Sequence, residues 1–116
     1  MSTARLRVAG DPALALIVRI FVGATAERWN VPPATRDDLR LAASELFAGA
    51  VEAGRDDPIA FELSATENGV ELRADDVSTA APVGLEGWEG RFDLIRALFP
   101  DSEVGESIRI RVPADD

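Results

Sequence analysis

Residues 3–9, TARLRVA, alternate apolar and polar side chains and put Leu6 and Val8 on one face, which predicts a β-strand. Gly10, Asp11 and Pro12 then read as a turn. Asp11 as N-cap, with Pro12 at the first helical position, predicts a helix that reaches about Trp29. Leu14, Ile17, Val18, Phe21 and Thr25 form one stripe on that helix, and Leu16 and Ile20 lie off it. The helix is therefore apolar on more than one side, and such a helix is buried by something on each face. In so small a domain, one of those faces is available to a partner chain.

Residues 30–33 read as a loop. Thr35 is expected to cap a second helix, with Asp38 three residues later completing a capping-box-like T-x-x-D. That helix carries Leu39, Ala42, Ala43, Leu46 and Ala50 and is expected to stop at Gly54. Ile59, Phe61 and Leu63 alternate, Glu67-Asn68-Gly69 is a tight hairpin signal, and Val70, Leu72 and Ala74 continue the alternation towards Asp75 and Asp76. Residues 77–89 are rich in Ala, Gly and Pro and read as a loop. Residues 91–99 predict a short amphipathic helix with Phe92, Ile95, Leu98 and Phe99 in the core, ended by Pro100. Glu103-Val104 is a short strand, and Ile108, Ile110 and Val112 alternate with Arg109 and Arg111 in a last one. This order predicts one α+β domain over residues 1–116, without internal repeats. It is a two-layer α/β sandwich whose sheet is mixed and mostly antiparallel, with three helices on one face.

Composition narrows the chemistry. The chain has 116 residues, 47% hydrophobic and 28% charged, which suffices for a core without staples. Cysteine and histidine are absent, which excludes disulfides, Cys-based zinc sites, Ser-His and Cys-His triads and imidazole acid–base work. All 12 basic residues are Arg, so a P-loop Lys and a Schiff-base Lys are excluded as well. A net charge of −9 without a basic stripe argues against a nucleic-acid partner. The most apolar run, residues 14–24, is about half of a bilayer span and contains Arg19, so no membrane role is expected. Asp11 and Pro12 break any signal-peptide pattern, and a cytoplasmic location is the default expectation. What remains is carboxylate chemistry, backbone-amide binding sites or protein recognition.

Three separated segments carry a resemblance. They are residues 37–54, DDLRLAASELFAGAVEAG; residues 71–79, ELRADDVST; and residues 90–112, GRFDLIRALFPDSEVGESIRIRV. In this order and spacing they resemble the anti-sigma factor serine kinases of the GHKL superfamily, the Bergerat-fold ATPases related to histidine-kinase catalytic domains. The resemblance covers almost the whole chain. It implies the Bergerat fold, an ATP and magnesium site, and a sigma factor or an anti-sigma factor antagonist as partner.

Carried over residue by residue, the resemblance places Glu45 at the general-base position, Asp75 at the adenine contact, and Gly90 and Gly105 in the phosphate-binding boxes. It also marks departures. Gly49 stands where the family has the Asn that ligates magnesium. Val77, Thr79 and Phe92 stand where it has glycines that let backbone approach the nucleotide, and Glu106 replaces a Thr. Without the metal ligand a triphosphate is poorly neutralised. A carboxylate at Glu106 would repel it by roughly 1–4 kcal/mol per close charge pair. The implied molecule is a degenerate relative, a pseudo-kinase that acts by occupancy and takes no cofactor. Charge complementarity with a sigma factor's basic faces would speed association, and a homodimer through Leu16 and Ile20 fits the two-sided first helix.

Other readings stay open. An active ATP-dependent serine/threonine kinase would use Glu45, Asp75 and Gly90. A small-molecule sensory domain would use a cleft between Glu45, Val77 and Phe92. Glu45 also suits a solvated helix face, Asp75-Asp76 suits turn chemistry, and these acids with Glu106 could hold a cation. Gly49 in mid-helix costs about 1 kcal/mol against Ala. Trp29 and Trp88, near element ends, suit half-buried packing or an interface anchor.

Overall fold

In the computed structural model, residues 2–52, 58–74, 88–104 and 108–113 are described, with residues 88–91 and 104 in backbone only. The first alternating segment forms β1 (Ser2–Val8). Asp11 then caps as its sequence suggests: its carboxylate accepts from the Ala13 amide at 2.9 Å, with Pro12 next in line. The first turn is a 3₁₀ turn over Pro12–Leu14, and α1 (Ala15–Arg28) follows.

The expected stripe of α1 is rotated. Val18, Val22, Gly23 and Ala26 are buried, whereas Ile17 is 46% exposed. On a helix apolar on several sides, periodicity does not select the buried face. Small residues select it here, because Gly23 and Ala26 let the next helix approach. A Cβ at Gly23 would stand 2.8 Å from the Arg40 Cδ. Leu16 and Ile20, at 57% and 59% exposure, lie on the outside as the sequence reading placed them.

α1 ends in a Schellman motif. The Val31 amide donates to the Ala26 carbonyl and the Asn30 amide to the Glu27 carbonyl, both at 3.0 Å. Asn30 takes the left-handed conformation that this requires, at φ 61°. The second helix, α2 (Pro33–Glu52), starts earlier than expected. Thr35 is not its cap but its third residue, because Pro33 is pre-set for the first helical position and the Arg36 amide already donates to the Pro32 carbonyl. The expected stop at Gly54 lies outside the described residues.

β2 (Ile59–Thr66) and β3 (Gly69–Ala74) are joined by the two residues Glu67 and Asn68, with Gly69 at φ 132°. The third helix, α3 (Trp88–Leu98), begins three residues before Arg91 and ends before Pro100. β4 (Glu103–Val104) and β5 (Ile108–Pro113) follow. The sheet order is β1-β2-β3-β5-β4, and every described pair is antiparallel. The result is the α+β sandwich expected: one sheet, with helices on one face.

The core lies between the layers. Phe61, Leu63, Leu72 and Ile110 from the sheet meet Leu39, Leu46 and Phe47 from α2, all essentially without exposure. Each such side chain contributes about 1.5–3 kcal/mol by leaving water. α1 flanks α2 on one side and α3 on the other, so α2 is the central helix. Its alanines at 42, 43 and 50 are buried and keep the helices close.

The αL residue generates a test. Asn30→Ala is expected to cost roughly 1–2 kcal/mol in urea unfolding, because a Cβ without a polar group disfavours this conformation, whereas Asn30→Gly should be neutral or better.

Candidate functional site

α2 carries two of the residues marked by the resemblance. Glu45 and Gly49 stand four residues apart, and so on one side of the helix. Glu45 is half-buried and is engaged in an interaction, whereas Gly49 is buried. A buried glycine presents no side-chain ligand atom, so Gly49 supplies none of the donors that the resemblance puts at this position.

α3 carries two more. Gly90 lies within its first turn, where backbone amides have no intrahelical acceptor, and not before the helix as its expected start at Arg91 implied. Phe92 is 1% exposed and is one of the largest fully buried side chains. Ile95 and Phe99 are buried with it and Leu98 is half-buried, so this run belongs to the core as expected. α3 packs on α2, and the Phe92 ring and Gly49 therefore belong to adjoining elements. Asp75, Asp76, Val77, Thr79, Gly105 and Glu106 lie outside the described residues. The structure thus brings Glu45, Gly49, Gly90 and Phe92 onto two packed helices.

Among the described residues, no group of three or more acidic side chains is placed to hold a metal ion. Also among them, no helix is long and apolar enough to cross a membrane. Trp29 is half-buried against the core, the packing role anticipated for it, and the side chain of Trp88 is outside the described set.

Two clefts formed by described residues lie elsewhere. One, of about 470 Å³, opens at the hairpin end of the sheet between Ser64, Thr66, Asn68, Glu71 and Arg111. Another, of about 400 Å³, runs between α1 and α2 and is lined by Leu16, Arg19, Ile20, Arg40, Leu41 and Ser44. Arg40 forms an ion pair with Asp37 at its rim. The Oγ of Ser44 is enclosed with no hydrogen-bond partner among the described residues. Leu41, 43% exposed, extends the apolar ridge of Leu16 and Ile20 and was not singled out by sequence.

The sheet's other face is charged. Arg5 donates to Glu62 at 2.7 Å, and that hydrogen bond, with the Glu62 charge, raises its pKa further above its ordinary value. Arg111 is raised likewise by its hydrogen bond to Glu71 and the charge of Glu103. Both groups stay protonated throughout the working pH range.

The model of the histidine kinase-like ATPase domain family matches residues 8–87. The match runs from the end of β1 through α1, α2 and the β2–β3 hairpin. No curated protein matches the chain.

If Phe92 is a core residue, Phe92→Ala should cost about 3–5 kcal/mol in denaturant unfolding. A loss below about 1 kcal/mol would mean that the ring faces an open cleft.

Proposed function

This chain belongs to the histidine kinase-like ATPase domain family, and we propose that it is a regulatory protein-binding domain of the anti-sigma type, a pseudo-kinase that takes neither ATP nor magnesium. Its partner in this reading is a sigma factor or an anti-sigma factor antagonist, held in the cytoplasm by occupancy and not by phosphorylation. The observation that carries the reading is Gly49. It is buried on α2, one turn beyond Glu45, and offers hydrogen where the resemblance puts a metal-binding amide. Magnesium needs oxygen ligands in near-octahedral array, and among the described residues no group of three or more acidic side chains is placed to hold a metal ion. Phe92 adds to this, since its buried ring occupies volume that the family keeps as bare backbone. Such residues do not fit a magnesium–triphosphate group. Asp75, Val77, Thr79, Gly105 and Glu106 enter the reading through the resemblance alone.

The active-kinase alternative draws on Glu45, which stands half-buried at the general-base position with its interaction made. A sensory role in the remodelled cleft would need open space beside Phe92, and the burial of that ring counts against it. Leu16 and Ile20, one helical turn apart and exposed, favour a homodimer through the outer side of α1. Burying the pair in a dimer removes apolar surface at about 25 cal/mol per Å².

Three outcomes test the reading. Millimolar magnesium-ATP should leave the melting temperature unchanged. A site saturated a hundredfold above its Kd would add about 2.7 kcal/mol and raise it by several degrees, which would restore the kinase alternative. Isolation of the tagged chain from its native cytoplasm should bring down a sigma factor or an antagonist, and recovery of neither would remove the proposed role. Joint substitution Leu16→Glu and Ile20→Glu should turn a sedimenting dimer into a monomer with stability held within about 0.5 kcal/mol. A wild-type monomer would refute the dimer.

A further inference from the structure

The strand register sets the outward side chains of the sheet in rows. Arg5, Glu62, Arg73, Arg109 and Glu103 stand opposite one another across all five strands. Thr3, Ser64, Glu71 and Arg111 form the next row, and Arg7 stands opposite Ala60 in a third. No described helix covers this face; the helices pack on the other one. Its described charges are five arginines and three glutamates, on a chain whose net charge is −9. The face is thus a basic island on an acidic molecule.

Its ion pairs are unevenly distributed. Glu62 is taken by Arg5 at 2.7 Å, and Glu71 and Glu103 are both taken by Arg111, at 3.2 and 3.0 Å. Arg7 and Arg109 make no ion pair among the described residues. Arg73 and Arg109 face each other directly across β3 and β5, with Glu62 opposite Arg73 and Glu103 opposite Arg109 on their other sides, so two guanidinium groups stand side by side in the middle of the row.

We propose that the open face of the sheet is a docking surface for a short acidic segment of a partner protein, whose carboxylates are received by Arg7 and Arg109 in the field of Arg73. The guanidinium fork matches a carboxylate in paired hydrogen bonds. β1 and β5 are three strand spacings apart, about 14 Å, which four or five residues of extended chain can span. The interleaved glutamates and the acidity of the rest of the molecule favour a short segment over nucleic acid. A duplex or long strand carries its phosphate charge well past the island and meets repulsion there. This surface is separate from the α2–α3 positions and from the Leu16–Ile20 ridge, so the inference stands whether or not the chain binds nucleotide.

The experiment is an NMR titration of the full ¹⁵N-labelled chain with an eight-residue peptide of alternating Glu and Ser, and in parallel with an oligothymidylate of eight nucleotides. The peptide should shift resonances of the outward residues of β1, β3 and β5. Its affinity should fall about tenfold between low and physiological salt. Arg7→Gln with Arg109→Gln, which breaks no described ion pair and keeps much of the aliphatic stems, should lower affinity about tenfold. Arg28→Gln, on α1, should leave it unchanged. The proposal is overturned by no binding at low salt, by shifts centred on the helix layer, by equal loss in Arg28→Gln, or by tighter binding of the oligonucleotide than of the peptide.

Discussion

Everything in this molecule depends on α2 covering the sheet. Phe61, Leu63, Leu72 and Ile110 present one continuous apolar face, and Leu39, Leu46 and Phe47 close it. A five-stranded antiparallel sheet with one solvated face needs such a cover, since only one face can be apolar. α2 therefore lies in the middle of the helix layer, with α1 and α3 packed against its sides. Gly49 is buried in this arrangement. On α3, the large ring of Phe92 is buried in the same core.

Most of this architecture was legible in the sequence, because period-two and helical patterns alternate cleanly and the turn signals are strong. Asp11-Pro12 capped as read, the Glu67-Asn68-Gly69 hairpin formed, and the apolar positions of β2, β3, α3 and β5 went inward. Two misreadings have physical causes. The buried side of α1 was misjudged at Ile17 because apolar residues surround that helix, and the contact was settled by Gly23 and Ala26 instead. The start of α2 was misjudged at Thr35 because a capping-box pattern competed with Pro33, whose ring fixes the helical φ two residues earlier.

The candidate site was only partly legible. A resemblance can say which residue types stand at Glu45, Gly49, Gly90 and Phe92, and packing then says what surrounds them. The arginines of the open face show the opposite case. Arg109 and Arg111 were visible as the polar phase of the last strand. Their union with Arg5, Arg7 and Arg73 depends on the strand order β1-β2-β3-β5-β4, which no local pattern contains. A chain that looked evenly acidic by composition thus carries its charge in distinct regions.

The proposed function is that of a chain with the fold of its family that has given up the nucleotide and serves recognition. Titration calorimetry of the wild-type chain with ATP in excess magnesium tests it most directly. The account predicts no heat beyond dilution at nucleotide concentrations up to the millimolar range. A saturable one-to-one isotherm that disappears when Glu45 is replaced by Ala would contradict it.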